Sequence, residues 1–257
     1  MKIESPQSSI VRNEFQRATY RGGFRRELGD AEDWQGWTSF QSTTVPGTIH
    51  LAAAGNQGPW FIALDHEGVI EMIDLASSSI PGPAHTRYQL DTLSDLDDVL
   101  TRIYQLAASL PDAPLRDFTK KTKNLPKTTE AERLFIQRIG QDRFRESLLD
   151  YWQESCPLTG ITDTSLLRAS HIIPWSECKS DAERLDVHNG LLLSALWDAA
   201  FDRGLVTFDD DGEPQFSSTL SDVARAELHW RNPIQLKDQH KKRLVWHREN
   251  LFRTQKN

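Results

Sequence analysis

Five polar side chains between residues 170 and 202 have the types and the order of an active site. Ser170 and His171 end a short apolar run, and Pro174 prevents that run from continuing as a strand or a helix. The sequence therefore predicts an imidazole at a strand end, where it is accessible and has little freedom to move. Histidine is the side chain that most often acts as a general base near neutral pH.

Two of the five side chains are acidic and lie in a stretch rich in helix formers, residues 195–201. Asp198 and Asp202 are four residues apart, so a helix would place both carboxylates on one face, one turn apart, where they repel each other. A divalent cation bound between them would remove this repulsion. Structural alternatives stay open for Asp202, which could instead pair with Arg203 or cap local backbone.

The fifth side chain, Asn189, precedes Gly190 in a turn signal, and an ordinary Asn-Gly turn is the plainer interpretation of this pair. A short apolar run, residues 191–193, then leads into the predicted helix. Gly204 is expected to stop that helix, and residues 205–208 to form a strand closed by a turn at residues 209–212.

The order of these features, a histidine ending a strand, an asparagine in a loop and acids on a helix, resembles the HNH nuclease family with its ββα-metal fold. The resemblance covers residues 156–208, and Asn189 and Asp198 stand nine residues apart, as this family usually keeps them. It implies that His171 is the general base, that Asn189 braces its loop and that Asp198 binds the metal. Asp202 and Ser170 stand where relatives carry further metal ligands.

Two departures from the family pattern affect the metal. Ser170 replaces the acid or histidine that many relatives carry before the base, and Asp198 replaces the final histidine of the family name. A carboxylate at that position favours Mg²⁺ or Mn²⁺ over Zn²⁺. Cys156 and Cys178 form no CxxC pair, so a tetrahedral zinc site is not expected.

The resemblance implies hydrolysis of phosphodiester bonds in double-stranded DNA, leaving 5′-phosphate and 3′-hydroxyl ends. Because the base must be neutral, activity is expected to fall below about pH 6.5, the ordinary histidine pKa. A non-catalytic DNA-binding protein with an HNH-like fold is the alternative from another class, and a non-specific nuclease is the nearest alternative within the class.

A length of 257 residues fits two modest domains of the α+β class. We expect an α+β recognition domain at residues 1–110, a linker at 111–127 and an HNH nuclease domain with flanking helices at 128–257. The absence of a long apolar run and the presence of only two cysteines predict a cytoplasmic protein with no membrane role. The sequence leaves a homodimer open.

Periodicity predicts the main elements on either side of the linker. Strands are expected near residues 18–20, 37–40, 48–51 and 60–64, and a helix over 94–110. In the second domain, a helix is expected over residues 128–152 with a break at Gly140, and another over 220–229.

The charge distribution suggests how DNA is held. Residues 1–110 carry 8 Lys and Arg against 14 Asp and Glu, yet five arginines cluster near the start of the chain: Arg12, Arg17, Arg21, Arg25 and Arg26. Lys120 and Lys121 in the linker could rest on phosphates. Aromatic residues near the strip, Trp34, Trp37, Trp60 and Phe61, could form a pocket for an extruded base, or could simply be core. These features favour a restriction or defence enzyme that senses a base modification.

Overall fold

The chain divides into two compact units, residues 1–113 and 114–257, in a computed structural model that describes residues 2–126 and 128–253. Lys127, which ends the predicted linker, lies outside the described residues, as do Met1 and residues 254–257. Each unit combines helices with antiparallel strands, so the predicted α+β class is confirmed.

The first unit is built on a five-stranded antiparallel sheet in which each strand pairs with the next along the chain. The strands are β1 (Arg26–Asp30), β2 (Thr38–Gln41), β3 (Thr48–Ala53), β4 (Trp60–Leu64) and β5 (Thr86–Leu90). The strands predicted near residues 37–40, 48–51 and 60–64 are confirmed as β2, β3 and β4. Every residue of β4 is buried, so both faces of the sheet are covered.

Three helices accompany this sheet: α1 (Ser9–Arg21), α2 (Glu67–Met72) and α3 (Leu93–Ser109). The helix predicted over residues 94–110 is confirmed as α3. The strand predicted near residues 18–20 is wrong, because these residues lie in α1. The Ser8 hydroxyl accepts a hydrogen bond from the Val11 N–H and caps that helix, whose buried residues include Val11, Phe15 and Ala18 at helical spacing.

Two of the tryptophans predicted for a base pocket lie in the core of the first unit. Trp37 is 1% exposed and Trp60 is 3% exposed. Trp37 packs beside the buried Phe61, with ring centroids 6.5 Å apart, whereas Trp60 packs against Phe15 of α1 at 5.9 Å. Successive residues of β4 face opposite sides of the sheet, so both layers need large apolar side chains. Core packing is therefore the correct interpretation for Trp37, Trp60 and Phe61.

Two helices precede the region of the predicted site, α4 (Asp112–Thr122) and α5 (Glu130–Tyr151). Helix α4 occupies most of the predicted linker, and Pro114 is tolerated there because it lies in the first turn. The predicted break at Gly140 is wrong, because α5 continues through it. A Cβ at Gly140 would lie 2.5 Å from Cη2 of Trp175, so the glycine allows a close ring contact instead of interrupting the helix.

The remaining elements of the second unit are β6 (Leu167–His171), α6 (Asp181–Leu185), β7 (Gly190–Ser194), α7 (Ala195–Asp202), β8 (Val206–Phe208), β9 (Pro214–Phe216), α8 (Asp222–Glu227) and α9 (Asp238–Asn250). A 3₁₀ turn, Val187–Asn189, leads into β7. Gly204 follows α7 with a φ of 65°, as the sequence predicts for a helix stop, and β8 pairs with β9 across the predicted turn. The helix predicted over residues 220–229 is reduced to α8.

Candidate active site

Strands β6 and β7 and helix α7 form a ββα unit. The strands are antiparallel, with His171 opposite Gly190 and Ser170 opposite Leu191, and α7 begins directly after β7. Every residue of β7 is buried, which anchors the unit in the core. His171 is the last residue of β6, at the strand end that the sequence predicts from Pro174.

The imidazole of His171 is held between two aromatic side chains. Its ring stacks on Phe144 of α5, with centroids 3.8 Å apart and an interplanar angle of 19°. The ring of Trp175 meets it edge-on at 5.6 Å. These contacts leave the imidazole half-buried and fix its plane, while the sequence alone gives no sign of the contribution from Phe144.

A backbone carbonyl determines the tautomer of His171. Nε2 lies 2.9 Å from the carbonyl oxygen of Arg184, which can only accept, so the neutral ring carries its hydrogen on Nε2 and a lone pair on Nδ1. No hydrogen bond to Nδ1 is formed by the described residues. Burial lowers the pKa of His171 to about 4, although the Arg184 carbonyl acts in the opposite direction. The ring is therefore neutral throughout the physiological pH range, with its lone pair on Nδ1.

Asn189 is fully buried and binds the loop that follows His171. Its Oδ1 accepts from the Ile173 N–H at 2.9 Å, and its Nδ2 donates to the Ile173 carbonyl at 3.1 Å. Nδ2 also lies 3.3 Å from both the Cys178 Sγ and the Glu183 carbonyl. Because the Asn189 side chain bonds both backbone groups of Ile173, it has the geometry of a loop brace. A simple Asn-Gly turn would not require these bonds.

Arg184 holds the same loop from the side of α6, and sequence reasoning missed it. Its guanidinium donates to the carbonyls of Trp175 at 3.2 Å and Cys178 at 2.9 Å, and to Asp181 at 2.9 Å. It also lies 5.6 Å from the centre of the Trp175 ring. Since the carbonyl of the same residue binds His171, Arg184 links the imidazole to the loop that follows it.

Ser170 and Asp198 form a short hydrogen bond between β6 and α7. The Ser170 hydroxyl donates to Oδ1 of Asp198 at 2.5 Å, and Ser170 is 2% exposed. This bond holds the Asp198 carboxylate against Ser170, the residue that precedes His171. Ser170 therefore acts on the carboxylate in this structure, a role that differs from the direct metal ligation suggested by its position in the sequence.

Asp202 lies at the exposed end of α7, one turn beyond Asp198. Desolvation of its carboxyl group, with repulsion from Asp198, raises the pKa of Asp202 to about 6, and the charge of Arg203 only partly offsets this. The described residues contain no ion pair between Asp202 and Arg203, whose guanidinium donates to the Ala199 carbonyl. Among the described residues, no salt bridge to Asp198 or Asp202 removes the repulsion between the two acids.

This donor set fits a hard cation better than a soft one. Two carboxylates supply oxygen ligands, and Mg²⁺ commonly binds one or two carboxylates and completes its shell with water. Within residues 2–126 and 128–253, no group of three or more His, Cys, Asp or Glu side chains is arranged to hold a metal ion. Asp198 and Asp202 are the acidic side chains that could supply oxygen ligands to a cation here.

The arginine strip lies on the first unit, and all five side chains are exposed. Three of them form ion pairs: Arg12 with Asp30 at 3.6 Å, Arg17 with Glu14 at 3.3 Å and Arg21 with Asp97 at 3.2 Å. Arg25 lies 4.8 Å above the ring of Tyr20, and in the described part of the chain neither it nor Arg26 forms a salt bridge. The arginines of the strip without a salt bridge in the described part of the chain are thus the last two, Arg25 and Arg26.

The other predicted DNA contacts differ in their exposure. Lys120 and Lys121 are exposed in the last turn of α4. Trp34 is 39% exposed, unlike Trp37 and Trp60. It lines a polar depression of about 680 Å³ on the first unit, together with Gln7, Arg12, Asp30 and Asp33 among others.

Comparison with known proteins agrees with this geometry. The sequence model of the HNH endonuclease family matches residues 156–209, which contain β6, β7 and α7 complete. No curated protein matches the chain. The second unit therefore contains an HNH endonuclease domain, the class of domain that cuts DNA.

Across residues 2–126 and 128–253, no helix combines the length and the apolar character that crossing a bilayer requires.

Proposed function

We propose that this chain is a metal-dependent endonuclease for double-stranded DNA in which His171 is the general base. The observation that carries the proposal is the hydrogen bond from Nε2 of His171 to the Arg184 carbonyl. It leaves the Nδ1 lone pair as the group that removes a proton from the attacking water. Asn189 and Arg184 keep the loop around the imidazole in place.

Asp198 and Asp202 are the residues that would hold the cation, and Ser170 orients the first of them. Bound Mg²⁺ or Mn²⁺ would supply stabilisation of negative charge on the phosphoryl oxygens and the departing 3′ oxygen. His171 removes a proton from water, the water oxygen forms the new bond to phosphorus, and the bond from phosphorus to the 3′ oxygen breaks. The departing 3′ oxygen then takes a proton from solvent. The ends are then a 5′-phosphate and a 3′-hydroxyl.

The environment of the base changes the pH dependence expected from sequence. With a pKa near 4, His171 remains unprotonated well below the ordinary histidine value. The acid limb of the activity profile should therefore lie below the value of about pH 6.5 expected for an unperturbed histidine. The pH at which activity falls on the acid side should therefore depend on the burial of His171 against Phe144 and Trp175.

Cleavage of supercoiled plasmid by the purified chain tests the proposal. The wild type should cut with Mg²⁺ or Mn²⁺, and His171→Ala should lose cutting while binding DNA almost as well, because a general base acts mainly in the transition state. His85→Ala is the matched control, since the His85 side chain is exposed on the first unit and lies near Asp65. Equal loss of binding and cutting in His171→Ala would indicate a structural histidine.

We further propose that the first unit selects the site, as in a restriction or defence enzyme that responds to base modification. Support comes from Arg25 and Arg26, which form no salt bridge in the described part of the chain, and from the exposed Trp34 at a polar depression of about 680 Å³. Matched plasmids with and without modified cytosine should be cut at different rates. Trp34→Ala should reduce that difference and Trp34→Phe should retain it, whereas equal rates for both plasmids would contradict modification sensing.

A further inference from the structure

Three buried polar atoms beside the turn Val187–Asn189 have no hydrogen-bond partner within the described part of the chain. They are Nε2 of His188, Nε2 of His240 and Nε1 of Trp152. His188 is 4% exposed and His240 is fully buried. Their rings are neighbours, with centroids 5.1 Å apart for His188 and His240 and 5.6 Å apart for Trp152 and His240. Polar groups buried in this way are usually satisfied, by protein or by water.

In each histidine, the contact made by Nδ1 determines whether the unpartnered Nε2 is a hydrogen-bond donor or an acceptor. Nδ1 of His188 lies 2.9 Å from a carboxylate oxygen of Asp186, so the neutral ring has a lone pair on Nε2. Nδ1 of His240 accepts from the Lys237 N–H at 3.2 Å, so this ring carries its hydrogen on Nε2. The indole Nε1 of Trp152 is always a donor. The cluster thus presents two donors and one acceptor.

We infer that His188, His240 and Trp152 bind one internal water molecule. The water accepts hydrogen bonds from His240 Nε2 and Trp152 Nε1 and donates one to His188 Nε2, which satisfies all three atoms. A metal ion does not match, because the hydrogen on His240 Nε2 occupies the position of a ligand lone pair. An anion does not match either, because it would face the lone pair of His188.

The water connects three parts of the second unit. His240 lies on α9, Trp152 directly follows α5, and His188 precedes Asn189 in the 3₁₀ turn. The backbone carbonyl of Asn189 also accepts from the Ile172 N–H at 2.9 Å, so a shift of this turn is passed to the residue after the base. On the proposed nuclease function, His188 and His240 are therefore positioning residues for His171.

The water itself is tested by structure, without any assay of activity. A high-resolution crystal structure of the full chain should show one solvent peak within hydrogen-bond distance of all three atoms and no anomalous signal from a metal. Nitrogen-15 NMR should report the Nδ1–H tautomer for His188 and the Nε2–H tautomer for His240. Three atoms without solvent, a metal peak, or the opposite tautomers would each overturn the inference.

The positioning role is tested by paired substitutions at one position. His240→Phe removes the donor and should lower kcat for DNA cleavage about tenfold with KM nearly unchanged, whereas His240→Gln should restore much of the loss. Trp152→Phe provides the same test if His240→Phe does not fold. Unchanged kcat in His240→Phe and Trp152→Phe would overturn the positioning role. A wild type that cuts no DNA would refute the nuclease proposal and leave the crystallographic test of the water standing.

Discussion

The carbonyl oxygen of Arg184 and Nε2 of His171 are 2.9 Å apart, and this contact decides which ring nitrogen can act as a base. The guanidinium of the same arginine binds the carbonyls of Trp175 and Cys178 in the intervening loop. One residue therefore controls both the tautomer of the imidazole and the shape of the loop that follows it.

Substitution of Arg184 should consequently affect catalysis without any change in the base itself. Arg184→Gln keeps the carbonyl but loses the loop contacts, and we expect kcat to fall about tenfold with little change in KM. Arg138→Gln is the matched control, since this exposed arginine of α5 pairs only with Asp142 in the described structure. Steady-state cleavage of a short duplex would measure both parameters, and equal kcat for the two variants would exclude the role assigned to Arg184.

The bond between Ser170 and Asp198 predicts a metal phenotype. Ser170→Ala should leave the carboxylate less well oriented and raise the Mg²⁺ concentration needed for half-maximal cleavage about tenfold. Asp198→Ala should nearly abolish cleavage, and Asp202→Ala should cause a smaller or comparable defect. Metal titrations of the variants would show this order, while full activity of the wild type in EDTA would rule out the proposed use of a metal.

Burial of His247 predicts that acid destabilises the second unit. Its Nδ1 bonds the Thr207 hydroxyl at 3.0 Å, its Nε2 bonds the Phe201 carbonyl at 3.2 Å, and burial lowers the pKa of His247 to about 4. Between about pH 6.5 and this value the unfolded chain binds more protons, so the free energy of unfolding decreases as pH falls. One such histidine makes the free energy of unfolding about 3 kcal/mol larger above pH 6.5 than it is below the folded pKa.

Urea unfolding at pH 7, 6 and 5 would measure this dependence. The midpoint should move to lower urea concentration at each step, and His247→Gln should show a shallower dependence than the wild type because one titrating group is removed. Identical slopes for the two proteins would mean that His247 keeps its ordinary pKa in the folded state.

The two units predict that cleavage and site selection can be separated. The boundary between the compact units lies earlier in the chain than the end of the predicted linker. Separation between residues 113 and 114 follows the compact units and removes the first two residues of α4, whereas separation near Pro126 would remove the whole of α4 from the second unit. Residues 114–257 should keep weak, poorly selective cleavage. In the full chain, Arg25→Gln with Arg26→Gln should weaken DNA binding and reduce its salt dependence more than Arg17→Gln, whose charge is already paired.

Filter binding across a salt series would compare these arginine variants. The metal requirement should be the same in all of them, because every candidate ligand lies in the second unit. An isolated first unit with no DNA affinity at low salt would assign that unit a different partner, such as a protein or a small ligand.

The sequence predicted the parts of the site that depend on local spacing. His171 at a strand end, Asn189 in the following loop and Asp198 on a helix require only the short-range signals of proline, glycine and helix formers. Arg184 and Phe144 were not predictable in this way. Arg184 acts through its carbonyl, which every residue possesses, and Phe144 reaches the imidazole from a helix that precedes β6 in the chain.

In the first unit too, the burial of individual side chains could not be predicted from local spacing. Residue type marks Trp34, Trp37 and Trp60 as aromatic, but their exposure depends on packing. Trp60 lies in a strand that is covered on both faces, whereas Trp34 lies in the loop between β1 and β2. The segment near residues 18–20 alternates over too few positions to distinguish a strand from a helix. Only the wider spacing of Val11, Phe15 and Ala18 identifies it as α1.

The contact between Gly140 and Trp175 also has an evolutionary meaning. Because a Cβ at position 140 would lie 2.5 Å from the indole, a larger residue at 140 is sterically incompatible with the present position of Trp175. Relatives with a smaller residue at position 175 are free to carry alanine or a larger residue at 140, so the two positions should covary across homologues. Since the same indole lies against His171, a change deep in a helix would thereby alter the wall of the active site.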